Sequence, residues 1–488
     1  MSTFFGLNIA RSGMQAQQKA LEVTSHNIAN ANTPGYSRQV ARMVPNAPIS
    51  YPEGNGMLGS GVLVNEIARV RDGFLDMQIR KELQTLGQWE SRRHVLNQVE
   101  QIFMEPTDTG FSTVLGKFFD SWQELSLNPE SSPVRATLVQ NSSTMINTVK
   151  HINEQLKTVR SDIDFNIDLK VKEVNTLGEQ IKDLNLQIIR LVAINEMPSD
   201  LMDRRDLLMD RLAEIIEFNA IETERGSVNI YIGGRELVNE GVSFKLKTES
   251  GGSNGDWPLA SKVVWERDGR EVNMNNGEIA GLIETRDVYL RSYMEDFEAL
   301  VWGIINIVND MHVGGMDLNG DKGLSFFNGE YLEDLQVNQD IMRDLKLVAA
   351  STAVDVFEGE DVEANPGDGS NALAIAKLRY SRIETTPDPS DPNNLKVRIK
   401  LDPIGGSTFE NFYRDSIARL GVDAQESQHM AENQVALLDM MNRRRDSISG
   451  VSLDEELSNM IQFQLAYQAS ARLITTLNEI YDTIINRM

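Results

Sequence analysis

Five histidines, His26, His94, His151, His312 and His429, are the first side chains to weigh for metal or acid–base chemistry. They are scattered, without the His-x-x-x-His or His-Glu-x-x-His spacing that sets two imidazoles on one helical face, and ordinary surface or helix-interface roles account for them. Asp317, Asn319 and Asp321 begin like a calcium loop, but its sixth place is Lys322 instead of glycine and its twelfth is Asn328 instead of Glu. A turn is the simpler reading. Gly233-Gly234 and Gly251-Gly252 are not followed by the Gly-Lys-Ser/Thr of a phosphate loop. Cysteine is absent, which excludes disulfides, thiolate metal sites and cysteine nucleophiles. Arg443-Arg444-Arg445 reads as a solvated or salt-bridged helix end, with an intersubunit contact as the alternative. The 20 methionines read as core filling before adaptable surface. No catalytic residue, cofactor or metal site is expected.

The whole-chain balance points the same way. In 488 residues, 47 Lys and Arg face 72 Asp and Glu, a formal net charge of −25. Such a field repels phosphate backbones and anionic lipid, so neither nucleic-acid binding nor membrane-surface binding is expected. Leu300 to Val308, the longest apolar run, is far short of the ~20 residues a bilayer span needs. Met1 to Ala10 has no basic residue ahead of its short apolar stretch and does not read as a cleaved secretory signal.

With chemistry set aside, the elements carry the information. Leu7, Ala10, Met14, Gln17, Leu21, Thr24 and Ile28 follow steps of three and four, the seam of a helix. Gly6 and Gly13 each cost about 1 kcal/mol relative to Ala there, so the segment needs a partner. It should stop near Asn30 to Asn32, before Pro34-Gly35 at the centre of a type II turn. A looser stretch with Pro45, Pro48, Pro52 and several glycines follows. Leu138 to Leu191 holds the longest helical signal, a rod of about 80 Å, with a register slip near Ile167 that bends or divides it. Between about Ile221 and Gly277 the pattern turns to alternation, with hairpin signals at Gly233-Gly234 and Asp268-Gly269. Helical spacing resumes from Leu290 to Met311. A loop rich in Pro, Asp and Asn covers Thr385 to Asn394. Two helices, about Ser416 to Arg445 and Ser452 to Met488, close the sequence, the last opening on a capping box of Ser452 and Glu455. Its apolar face is wide: Leu453, Leu457, Met460, Ile461, Leu465, Ile474, Leu477, Tyr481, Ile484 and Ile485 all contribute.

Both ends are therefore amphipathic helices. They pair inside an ordinary helical domain, or they are subunit-packing elements that order when neighbours cover them. The quoted ends also resemble a family. Ser12 to Gln18, Asn27-Ile28-Ala29-Asn30-Ala31-Asn32-Thr33-Pro34-Gly35-Tyr36-Ser37-Arg38-Gln39, Gly450 to Glu456 and Gln464 to Arg472 resemble the bacterial flagellar axial proteins. Pro34 to Gln39, Asn309 to His312, Asp317 to Gly320 and Phe326-Phe327 are similar to the branch found between hook and filament. His26 stands where the family often has Asn.

The resemblance implies a non-enzymatic structural subunit that joins hook to filament, with the two terminal helices forming an inner coiled-coil layer. It implies a self-assembled ring that meets hook protein and a second junction protein. It also implies delivery outside the cell through the flagellar type III export apparatus, with an export chaperone on the C-terminal helix. The expected fold is mainly α with a small β-rich inserted domain and paired terminal helices. The expected division is 1–45 with 450–488 as inner core, 46–215 with 284–449 as helical rod domain, and 216–283 as the β insert. The expected subunit or chaperone contacts are Leu7, Met14, Leu21, Ile28, Leu457, Ile461, Leu465, Ile474, Leu477, Tyr481, Ile484 and Ile485. Another axial subunit, or a soluble hydrolase or helical binding module whose termini merely pair, are the alternatives.

Overall fold

The structure is a computed structural model that describes residues 5–50, 57–103, 110–250, 260–352, 365–387, 397–401 and 406–487. Eleven α-helices are described: α1 (Phe5–Asn30), α2 (Gly73–Phe103), α3 (Phe111–Leu127), α4 (Ser132–Val192), α5 (Ser199–Ile215), α6 (Glu278–Glu284), α7 (Arg291–Gly314), α8 (Gln339–Arg343), α9 (Ser370–Lys377), α10 (Phe409–Ser449) and α11 (Leu453–Arg487). The fold is mostly helical with small antiparallel sheets, as the periodicity implied.

The long rod is α4, 61 residues without a break. The slip near Ile167 is absorbed within the helix: Ile167, Val171 and Val174 bury themselves between Ile163 and Leu177 and keep the apolar seam continuous. Two successive steps of four move the stripe around the helix without breaking a backbone hydrogen bond. Against α4 pack α3, α5 and α2, and the aromatic side chains of Phe103, Phe111, Phe297 and Tyr413 meet edge to face where α2, α3, α7 and α10 converge.

A four-stranded antiparallel sheet follows α5, in the order Asn219–Glu222, Val228–Ile232, Arg235–Asn239 and Val242–Ser243. Gly233 and Gly234 turn its central hairpin at φ +55° and +80°, the geometry of a type I′ turn. The second expected hairpin is shorter than the alternation suggested. Ser261–Trp265 pairs with Leu246–Ser250, and the limb after Asp268-Gly269 adds a bridge at Glu271 and the backbone bonds Trp265 N to Arg270 O and Val272 N to Val263 O. A six-residue π-helical turn, Thr285–Leu290, then joins α6 to α7.

The stretch after Pro34-Gly35 holds more order than its prolines and glycines suggested. Gln39–Pro45 pairs with Val62–Arg69 in an antiparallel ribbon that packs along α1. Its register shifts between Arg42 and Met43, a bulge that lets the ribbon twist around the helix.

Candidate functional site

The terminal helices α1 and α11 lie antiparallel. Asn27 meets Glu456 at one end, and Gly13 and Gly6 face Ser470 and Leu477 further along. A Cβ on Gly13 would sit 3.3 Å from Ser470 Oγ, and one on Gly6 3.4 Å from Leu477 Cδ1. These glycines weaken α1 as an isolated helix, but they are where α11 approaches its backbone.

The turn after α1 anchors the pair to the body. Gly35 adopts φ +78° and Tyr36 N donates to Thr33 O, as the type II reading requires. The buried Asn27 side chain then closes on the first strand: Nδ2 donates to Gln39 O at 2.9 Å, and Oδ1 accepts from Gln39 N at 3.0 Å and from Tyr36 Oη at 2.8 Å. Its Nδ2 also donates to Glu456 Oε2 at 3.1 Å, which ties the start of α11 to the end of α1. Burial, followed by Asp200, Asp203 and Glu456, pushes the Tyr36 phenol up and keeps it a donor. His26 Nδ1 lies 3.0 Å from the same phenol. Half of the capping box forms: Glu455 N reaches Ser452 Oγ at 3.5 Å, while the Glu455 side chain accepts from Arg38 at 2.9 Å instead of closing the box.

Beneath this turn sits an ion network that sequence reasoning missed. Ser37 N and Oγ both donate to Asp203, at 2.8 and 2.9 Å. Arg69 reaches Asp203 and Asp206, each at 2.8 Å. Arg71 reaches Asp76 at 2.6 Å and Asp206 at 3.1 Å. Arg80 pairs with Asp206 and Asp210, and Arg445 of α10 with Asp210 at 2.8 Å. Burial alone would raise the Asp206 carboxyl, but Arg71, Arg80 and Arg69 hold it below the usual carboxylate range. Burial alone would lower Arg69 and Arg71, and the aspartates, Asp206 foremost, hold both above their ordinary value. The legible half of this network was Asp203, Asp206 and Asp210 at helical spacing on α5. The arginines come from the end of the ribbon with the link after it, α2 and α10, and only folding joins them. Of the basic trio, Arg443 pairs with Asp439 along α10, and Arg445 enters the network.

The proposed contact residues divide into two sets. Leu7, Met14, Leu21 and Ile28 on α1 and Ile474, Leu477 and Tyr481 on α11 are half-buried. The fully covered positions of α1 include Ala10, Ala16, Ala20, Val23 and Asn27, because α1 is held between α11 and the ribbon. On α11, Leu457, Ile461 and Leu465 are 49%, 60% and 61% exposed, and Leu453, Leu473 and Ile480 join them at the surface. Among the described residues no apolar side chain of α11 is buried; Glu456 alone is. The side chains of Ile484 and Ile485 lie outside the described residues.

Among the described residues no group of His, Asp or Glu is arranged to hold a metal, and no helix is long and apolar enough to cross a membrane. Asp317 accepts from the backbone N–H groups of Asn319 and Asp321 at 2.7 and 3.0 Å, a turn closing on itself. Gly251-Gly252-Ser253-Asn254-Gly255 spells a nucleophile-elbow pattern and lies outside the described residues. The strands flanking it are antiparallel partners, whereas an elbow needs a strand running into a helix.

Comparison with known proteins agrees along the whole chain. Residues 96–327 match the flagellar hook-associated protein FlgK helical domain, residues 7–36 match the flagella basal body rod protein family, and residues 445–488 match the flagellar basal body rod FlgEFG protein C-terminal family. Flagellar hook-associated protein 1 of Bacillus subtilis (strain 168) is 29% identical over 100% of this chain and 99% of its own. The protein of the same name from Salmonella typhimurium is 25% identical over 98% of this chain and 99% of its own. A solved structure, the flagellar hook junction protein FlgK from Burkholderia pseudomallei, superposes with a TM-score of 0.64 at 14% identity, covering 76% of this chain and 100% of that one. That likeness is one of fold. The helical-domain match in the centre, the axial-protein matches at both ends and the full-length likeness to two relatives make this chain similar to flagellar hook-associated protein 1 from end to end.

Proposed function

We propose that this chain is the structural subunit that joins hook to filament outside the cell, and that it assembles by coupled folding of its terminal helices. The observation that carries the proposal is the apolar stripe of α11, which the chain itself leaves uncovered although α11 has 35 residues. A stripe of that length is unfavourable in water and is stabilised by neighbouring copies around a tube. The central helical-domain match favours the junction over the rod or hook, whose families match only the ends.

In this reading residues 1–45 and 450–488 form the inner core, 46–215 and 284–449 the rod domain, and 216–283 the β insert. Leu7, Met14, Leu21, Ile28, Leu457, Ile461, Leu465, Ile474, Leu477, Tyr481, Ile484 and Ile485 serve packing between subunits. Hook protein and a second junction protein are the neighbours above and below. Before assembly, the type III export apparatus and a chaperone on α11 handle the chain. The role is geometric, and no catalysis is assigned.

Hydrogen exchange tests the coupling. In purified monomer, amides of roughly Met1 to Arg42 and Ser452 to Met488 are expected to exchange orders of magnitude faster than those of α4, and to become protected on incorporation. Strong protection of both ends in the monomer would reject coupled folding. Cells lacking the chain should carry hooks without filaments; filaments still attached would reject the junction role.

A further inference from the structure

A groove runs beside the ion network, between the start of α2, the base of the ribbon, α5 and the end of α10. Phe74, Met77, Met197, Met202, Met440 and Met441 line it. Phe74, Met77 and Met440 are 64%, 59% and 63% exposed, an arrangement that core filling does not explain. Flexible, polarisable methionine around an aromatic ring is the composition of a groove that takes the apolar face of a helix. Lys81 and Arg444 also line it, and among the described residues neither has a carboxylate within ion-pairing distance.

The same chain carries a matching object. Leu453, Leu457, Ile461 and Leu465 are exposed at successive steps of four on the first turns of α11, and Asp454 is exposed beside them. The lining is of mixed charge, with Glu66, Asp76, Glu82, Asp206, Glu217 and Glu222 among its residues, but Arg444 and Lys81 are its cations without a carboxylate partner among the described residues, and the first turn of α11 is acidic. Both features adjoin the link between α10 and α11, so a modest displacement between neighbouring copies brings one to the other.

We propose that the groove seats the opening turns of α11, Leu453 to Leu465, of a second copy of this chain, with Asp454 set against Arg444 or Lys81. The proposal rests on the junction reading and names one contact that would hold its ring together. Groove and stripe are different patches of one molecule, so the contact is head-to-tail and propagates from subunit to subunit.

The chain lacks cysteine, which makes crosslinking clean. Met440→Cys with Leu457→Cys, and separately Met77→Cys with Ile461→Cys, are oxidised in flagella isolated from cells. Ladders of dimers and higher multimers from either pair, absent from the single variants, are the expected result. Monomers only from both pairs, or a crosslink to a different protein, in flagella that still carry filaments would overturn the proposal and leave the junction reading standing. Absence of the chain from hook tips would instead overturn the junction reading. In a second arm, Arg444→Glu should reduce filament-bearing hooks several-fold, and Asp454→Arg in the same chain should restore them. An unchanged count in Arg444→Glu, or no restoration by the second change, counts against the contact.

Discussion

Asparagine, at the residue scale, is the residue through which helices hold strands in this molecule. Four times among the described residues an asparagine side chain in a helix both donates to and accepts from the backbone of one residue: Asn27 on Gln39, Asn175 on Leu246, Asn185 on Val228 and Asn309 on Phe327. The amide imitates a neighbouring strand and satisfies backbone groups that no ladder reaches. Asn185 is fully buried and also accepts from Arg205, so Asn185→Ala should cost about 3 kcal/mol in urea unfolding, since it strands buried partners on both sides. A loss below about 1 kcal/mol would mean that water or relaxation replaces those bonds.

His312 is the second residue-scale test. Fully buried, it accepts from Ala349 N at 2.9 Å, and burial holds its pKa at about 4 against an ordinary 6.5. Between those values the unfolded chain binds a proton that the folded chain does not. Its contribution is complete above pH 6.5 and is lost as pH falls through about 4. Thermal midpoints of the native chain should drop across that window more steeply than those of His312→Gln; equal slopes would contradict the assignment.

α4 and α11 share a helical period and differ in what covers them, which is an element-scale distinction. Along α4 the seam is closed by other parts of the chain, and Ile181 is fully buried. Ile181→Asp should therefore cost about 4 kcal/mol or more in the monomer. On α11, Leu457→Asp with Leu465→Asp should change monomer stability by less than about 0.5 kcal/mol and abolish filament attachment. A large loss of monomer stability in that double variant would show that α11 already belongs to the folded body. Leu477 is less suited to this test, because its side chain rests on Gly6 of the same chain.

For the molecule as a whole, core and ends separate. The members of both buried apolar clusters fall between Leu75 and Leu438. Removing residues 1–42 and 452–488 should then leave one cooperative unfolding transition with a midpoint within several degrees of the intact chain, because the main losses to the body are Ser37 on Asp203, Gln39 on Asp200 and the pairing of residues 39–42 with Glu66–Arg69. Collapse of the truncated chain would show that the terminal pair stabilises the body. A formal charge of −25 suits this division, since long-range repulsion keeps molecules with exposed stripes apart until assembly.

Helix periodicity, the Gly233-Gly234 turn, the Pro34-Gly35 turn and the two amphipathic ends were legible in the residues, because each depends on local spacing and backbone preference. The ribbon of residues 39–45 and 62–69 was not: its strands of seven and eight residues are interrupted by a bulge and separated by a stretch rich in Pro and Gly, and they pack along α1. Nor was the ion network, whose aspartates share a helix while their arginines arrive from three distant segments. Local sequence determined which helices exist and which of their faces are apolar. Only the tertiary structure decided which of those faces the chain covers for itself, because covering depends on contacts between residues hundreds of positions apart.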